Sequence, residues 1–217
     1  MKTNILYVDE GLAFGGSFIV AARLASHLEP DSYEAVIITA TPLRDIAHHA
    51  SEQVRLVYLR KWLTYKQRGI VVGWLNKLQG KGKAGQLIRK LGIYVYSAVE
   101  LVANISYVAG ICFQIIRNNI DIVHGNNAVE AIIAGRLLRK KIVWHIHGEG
   151  KYSAGQIRRY FKDVDKFISI SHFSTRNAIA SGIPADKIVT IHNPTGPAQA
   201  PLSEDALLMM KQSYNIP

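Results

Sequence analysis

His145 and His147 stand two residues apart at the end of an apolar run, and a strand there would turn both imidazoles to the same side. As metal ligands they would need a third partner, and His124, His172 and His192 lie in unrelated contexts, so no metal site is expected. His147 is followed by Gly148, which places its ring at a strand tip facing a cleft. There an imidazole can donate to a hydroxyl or a phosphate oxygen. The competing reading is a structural histidine whose hydrogen bonds are satisfied inside the fold.

A second candidate precedes the first helix, in Asp9-Glu10-Gly11-Leu12-Ala13-Phe14-Gly15-Gly16-Ser17. Glycines let a backbone approach an anion, and a helix N-terminus adds free N–H groups and partial positive charge. Gly15 and Gly16 are therefore candidate phosphate or sugar contacts, the alternative being a tight strand-to-helix turn. The spacing is not G-x-G-x-x-G, the second strand ends at Thr39 with no acid to hold a ribose, and no Gly-Lys-Ser/Thr follows. A P-loop is excluded on those grounds, and neither a classical dinucleotide site nor a cofactor is expected. His124-Gly125-Asn126-Asn127 after the fourth strand, Ser171-His172 after the sixth and Asn193-Pro194 after the seventh add polar groups along the same rim. Asn126, Asn127, Ser171 and Asn193 are candidate substrate contacts, although Ser and Asn also serve there as ordinary helix caps.

The elements that would position these groups follow from short β-branched runs at 5–8, 35–39, 54–59, 120–123, 142–146, 167–170 and 188–191. Most do not alternate in polarity, as expected of strands buried on both faces. Helical stretches at 16–28, 91–117, 128–138, 155–161 and 173–180 separate them. Such alternation predicts an α/β fold, a doubly wound, mostly parallel, Rossmann-like sheet in a single domain, with ligands at the carboxyl ends of the strands. The 217 residues are 48% apolar and 19% charged, enough for a sizeable core, which excludes disordered, collagenous and disulfide-scaffold classes. The lone Cys112 forms no internal disulfide, and the first apolar run is too short for a signal peptide, so the chain reads as cytoplasmic. Tyr152, Arg158, Arg159, Tyr160 and Lys162 read as a solvated helix face.

The net charge of +10 is local. Ten bases and no acid fall between Glu52 and Glu100, and the rest of the chain is neutral. An anionic partner for that segment follows. Lys61, Trp62, Lys66, Arg68, Trp74, Lys77, Lys81 and Lys83 mix bases with large apolar residues, the composition of a helix lying in a membrane interface. Residues 80–85 read as a loop. The stretch 91–116 is apolar enough to raise spanning, but Ser97, Glu100, Asn104, Tyr107 and Gln114 fall near one stripe, which favours a helix partly buried on the sheet. Without a helix-turn-helix, zinc or RNP pattern, nucleic acid is not the expected partner.

Asp121-Ile122-Val123-His124, then Lys141-Ile142-Val143-Trp144-His145-Ile146-His147-Gly148, then Val164 to Ser171, then Gly182-Ile183-Pro184-Ala185-Asp186-Lys187-Ile188-Val189-Thr190-Ile191-His192-Asn193-Pro194 resemble, in order, the N-terminal half of the family 4 retaining glycosyltransferases of GT-B fold. Gly15-Gly16 is similar to that family's first-loop glycine pair. Asn193-Pro194 departs from its commoner Asn-Gly.

By that resemblance, residues 1–202 form the acceptor-side domain with a basic amphipathic insertion at 60–90, and residues 203–217 lead towards a donor-binding domain. His147 would contact the donor sugar near the reacting centre, and Gly16 would approach the donor phosphates. The leaving phosphate would take the acceptor's proton, with no metal needed. The expected function is acceptor binding in the transfer of a sugar from a nucleotide-sugar to a lipid-linked or envelope glycan acceptor at the cytoplasmic face of an anionic membrane surface. The chain alone would not turn over without the donor domain. The rival reading is a non-catalytic module that binds a glycolipid or a partner.

Overall fold

The computed structural model describes residues 2–9, 15–61, 70, 73, 74, 76, 77, 82–193 and 209, with backbone alone at 49, 83, 84, 93, 97, 100 and 101. Seven strands form one sheet, all parallel, in the order β3-β2-β1-β4-β5-β6-β7. They are β1 (Thr3–Asp9), β2 (Tyr33–Thr39), β3 (Arg55–Tyr58), β4 (Ile122–Asn126), β5 (Lys141–Ile146), β6 (Lys166–Ser169) and β7 (Ile188–Thr190). The helices are α1 (Gly16–Ser26), α2 (Gly82–Arg117), α3 (Val129–Leu137), α4 (Ala154–Arg159) and α5 (His172–Ala180). The doubly wound, Rossmann-like parallel sheet expected from the sequence is the fold observed.

Apolar residues on both faces of the central strands explain the layering. Ile5 and Tyr7 of β1 pack with Phe18, Ala21 and Ala22 of α1 on one face, while Leu6 and Val8 pack with Tyr107, Ile111 and Ile115 of α2 on the other. Trp144 and Ile146 of β5, Phe161 and Phe167 continue that second face under α4 and α5. Ser153 caps α4 by accepting from the Gln156 N–H, and the Gln156 side chain accepts from the Ser153 N–H in return. That reciprocal pair stabilises so short a helix.

The winding reverses between β1 and β4. From β1 the chain adds β2 and then β3 to one side, then returns through α2 to start the other side at β4, which pairs with β1 through Ile5–Ile122, Leu6–Val123, Tyr7–His124 and Val8–Gly125. A crevice opens at the carboxyl ends of the strands at such a reversal.

Three expectations need correction. The fourth strand does not stop at Val123. It runs to Asn126, so His124, Gly125 and Asn126 lie inside the sheet and are buried. The apolar run ends early because β4 is flanked by β1 and β5, whose backbone partners hold the strand whatever its side chains, and because Trp144 covers Gly125, where an added Cβ would meet the indole at 2.8 Å. The loop expected at 80–85 is helical from Gly82, nine residues ahead of the expected start, because the apolar spacing of Leu87, Ile88 and Leu91 continues the same face. Lys61, grouped above with membrane-facing bases, is buried: its Nζ lies 2.8 Å from Glu130 Oε1, with both side chains 6% exposed, and 5.4 Å from the Tyr107 ring centroid. Trp62, Lys66, Arg68 and Lys81 lie outside the described residues, as do 203–217 apart from 209, and Lys83 is described by its backbone only. Trp74 and Lys77 are exposed.

Helix α2 is amphipathic with its sides unequally used. Ala103, Tyr107, Ile111, Gln114 and Ile115 are buried against the sheet, so Tyr107 and Gln114 face inward and Asn104 is half-buried. Leu91, Tyr94, Val95, Val99, Val102 and Ile105 are each more than half exposed. Among the described residues no helix is long and apolar enough to cross a membrane.

Candidate functional site

The polar groups converge where the winding reverses. Asp9, the last residue of β1, is almost wholly buried, yet carries a carboxylate. A buried carboxylate persists only when hydrogen bonds replace its water. Ser17 Oγ donates to Asp9 Oδ1 at 2.9 Å, and Asn126 Nδ2 donates to the same oxygen at 2.8 Å. Asn126 Nδ2 also donates to the Ser17 carbonyl at 2.9 Å. The other end of that amide meets the imidazole of His147, whose Nε2 is hydrogen-bonded to Asn126 Oδ1. One chain of contacts, buried at Asp9 and Asn126 and half-buried at Ser17 and His147, thus joins the tip of β1, the first turn of α1, the tip of β4 and the end of β5.

Gly15 stands in extended backbone as the N-cap of α1, with no side-chain cap and no acid in the first turn. A Cβ built on Gly16 would meet nothing within 4 Å, and the same holds for Gly148. Among the described residues, nothing in the packing demands glycine at either position, and none of them occupies the space beside the two α-carbons. Gly150 differs: its φ is +75° and an added Cβ would fall 2.3 Å from the Ser174 carbonyl oxygen. Together with the Ser174 Oγ bond to the Gly148 carbonyl (2.6 Å) and the Asn177 Nδ2 bond to the Glu149 carbonyl (2.8 Å), this pins the loop after His147 to α5.

Behind His147 runs a row of rings. His147 stacks on His145 with centroids 4.1 Å apart, His145 lies 5.4 Å from His124, and His124 lies 4.7 Å from Tyr7. His124 and His145 are buried, and His124 Nε2 and both ring nitrogens of His145 have no hydrogen-bond partner. Burial lowers all three: His147 to about 4; His124 to about 3, with repulsion from His147 added; and His145 to about 2, with repulsion from His147 and His124 added. All three are neutral imidazoles at pH 7. Sequence reading put His124 in an unrelated context. The strand order brings it in, since β4 lies between β1 and β5 and His124 pairs in register with Tyr7 of β1 on the face that also carries His145. Among the described residues no group of three or more His, Cys, Asp or Glu side chains is placed to hold a metal ion.

The structure therefore brings together Gly15, Gly16, Asn126 and His147. Asn127 follows at φ 63°, exposed, bridged by backbone to Asp9. Ser171 accepts from the Ser174 N–H at 3.1 Å and caps α5, the ordinary cap role allowed for above. Asn193 is exposed after β7. Asp9 and Ser17 were not singled out by sequence reasoning; the available signal was an acid ending the first buried strand immediately before a glycine-bearing loop. Tyr152 and Tyr160 pack against the core cluster of Phe161, while Arg158, Arg159 and Lys162 are exposed.

Residues 101–198 match the family model of Glycosyltransferase Family 4. No curated protein matches the chain. Among solved structures it is similar to a glycosyltransferase from Rickettsia africae ESF-5 (TM-score 0.62, 17% identity, covering 100% of this chain and 50% of that one). It is also similar to HepE of Anabaena in complex with UDP and glucose (0.59, 17%, 98% and 50%), and to MurG of Acinetobacter baumannii (0.51, 13%, 92% and 50%). The chain spans about half the length of these proteins. At these identities the structural likeness is one of fold. The family-model match over 101–198 agrees with the resemblance drawn from the sequence, and the chain has the fold of one half of these similar glycosyltransferase structures.

Proposed function

We propose that this chain is the acceptor-side half of a retaining glycosyltransferase that moves a sugar from a nucleotide-sugar to a lipid-linked or envelope glycan acceptor at the cytoplasmic face of a membrane. The observation that carries the reading is the juxtaposition of His147 with the open N-terminus of α1 through Asn126. A helix N-terminus whose first glycine has no described residue packed over it suits a diphosphate, and a neutral imidazole at the next strand tip suits a sugar hydroxyl. UDP and glucose in the structurally similar HepE are of that chemical class.

Two results are expected with the donor-binding domain present. His147→Ala should lower kcat/KM in radiolabelled transfer by roughly 10² or more, the cost of one polar contact at a charge-developing centre. Gly16→Val should raise the KM for the nucleotide-sugar, whereas the unfolding midpoint stays nearly unchanged because the added side chain meets none of the described residues. A kcat/KM unchanged in His147→Ala would remove His147 from the site, and activity lost only in step with stability would make it structural.

The membrane part of the proposal rests on the exposed apolar stripe of α2 from Leu91 to Ile105, next to the basic stretch that includes Lys77 and Lys90. Apolar contact and anionic lipid attraction add in such a surface, at about 1 kcal/mol per engaged base. Binding to anionic vesicles is expected to exceed binding to neutral ones. Lys77→Gln with Lys90→Gln should weaken it mainly at low salt, since charge is screened beyond about 8 Å at physiological ionic strength. Val95→Ser with Val102→Ser should weaken it at every salt concentration. Equal binding to both vesicle types, or tighter binding to duplex DNA, would overturn the assignment.

A further inference from the structure

The amide of Asn126 can be oriented in only one way. One of its ends faces Asp9 Oδ1 and the Ser17 carbonyl oxygen, at 2.8 and 2.9 Å. A carbonyl never donates, and this carboxylate oxygen already accepts the Ser17 hydroxyl. That end must therefore be the donating NH₂. The carbonyl end then faces His147, and it can only accept. The hydrogen on the bond between His147 Nε2 and Asn126 Oδ1 must belong to the imidazole. A neutral imidazole carries one N–H, so Nδ1 is left with a lone pair. No described residue hydrogen-bonds to Nδ1, and the ring is only half-buried.

We propose that Asn126, held by Asp9 and Ser17, is a positioning residue that fixes His147 as the Nε2–H tautomer and turns Nδ1 outward as a hydrogen-bond acceptor. The assignment rests on the reading of His147 as a group that meets substrate. It also sharpens that reading, because a lone pair takes a hydroxyl and repels a phosphate oxygen. The partner of His147 is then a sugar or acceptor hydroxyl. The face of His145 stacked 4.1 Å behind the ring limits its tilt. Asn126 has no access to solvent or substrate and acts through His147.

The tautomer can be read without turnover, from ¹H–¹⁵N correlations of the histidine ring nitrogens in the ¹⁵N-labelled 217-residue chain at pH 7, with His147 assigned from a His147→Gln sample. Wild type should show Nε2–H over Nδ1–H by about tenfold or more, as one buried hydrogen bond kept or lost dictates. In Asn126→Leu the ring should relax to the averaged pattern of the exposed His172 in the same spectrum. A wild-type His147 in the Nδ1–H form, or a mixture like that of His172, would overturn the proposal. If Asn126→Leu does not fold, the wild-type spectrum still decides.

A functional arm separates this inference from the reading it rests on. With the donor-binding domain present, Asn126→Ala should reduce kcat/KM, and adding it to His147→Ala should reduce it no further. Full additivity of the two losses would overturn positioning through His147. The expected tautomer together with unaltered transfer in His147→Ala would sink the role in catalysis and leave the positioning intact.

Discussion

Between pH 7 and pH 5 the folded chain should lose about 4–6 kcal/mol of stability, a large share of what holds a domain together. The loss comes from His124, His145 and His147, whose burial holds them at about 3, about 2 and about 4, against about 6.5 for an exposed imidazole. Above pH 6.5 both the folded and the unfolded chains carry these rings neutral, and they add no pH dependence. Below it the unfolded chain takes up protons that the folded one refuses, and unfolding gains about 1.4 kcal/mol per histidine for each pH unit. At pH 5 that is about 2 kcal/mol for each ring. His147 stops contributing below about pH 4, where its folded form also protonates. Urea unfolding at the two pH values measures the total. His124→Phe, whose ring can lie tilted against Tyr7 as the native one does, and His145→Phe should each flatten the dependence by about a third. A wild-type chain equally stable at pH 7 and pH 5 would mean that the row takes up protons in the folded state.

That row also marks what the sequence could and could not convey. Period and composition placed the seven strands and five helices named above among the described residues, because buried parallel strands require continuous Val and Ile runs that few other elements use. His147 and Gly16 were legible from position, one at a strand tip and one at a helix start. What binds them to each other was not. Asp9, Ser17 and Asn126 are 117 or 109 residues apart in two of their three pairings, and their meeting depends on β4 pairing with β1, a fact of strand order that local pattern does not carry. Asn126 looked like a loop residue because polarity within a strand usually signals its end. Here the polar residues lie inside β4 because each has a buried partner. His124 has rings on both sides, and Asn126 has a carboxylate, a carbonyl and an imidazole. Helix α2 was read short at its start for the opposite reason, since Gly82 and Gly85 break a local pattern that the helix overrides.

Lys61→Met should destabilise the chain by about 3–5 kcal/mol, the cost of leaving a buried charge without its partner. Composition alone assigned Lys61 to a membrane-facing set, and its surroundings reverse that. Its ammonium meets Glu130 Oε1 at 2.8 Å where neither side chain exceeds 6% exposure, with the Tyr107 ring 5.4 Å away. The pair ties the segment after β3 to α3, where Glu130 occupies the first turn and is favoured by the helix dipole. Glu130 Oε2 has no hydrogen-bond partner, so nothing else stands ready to hold the carboxylate once the ammonium is gone. Glu130→Gln should cost less, because the amide is neutral and leaves an exposable lysine stem. The double variant Lys61→Met, Glu130→Leu should recover most of the loss, since a packed apolar pair of similar volume is often as stable as a buried ion pair. Urea unfolding of the two singles and the double gives the coupling directly. Vesicle binding of folded Lys61→Met should match wild type, because a charge already neutralised inside the fold cannot engage lipid. Weakened vesicle binding with unchanged stability would return Lys61 to the membrane surface and break the buried pair as an account of this segment.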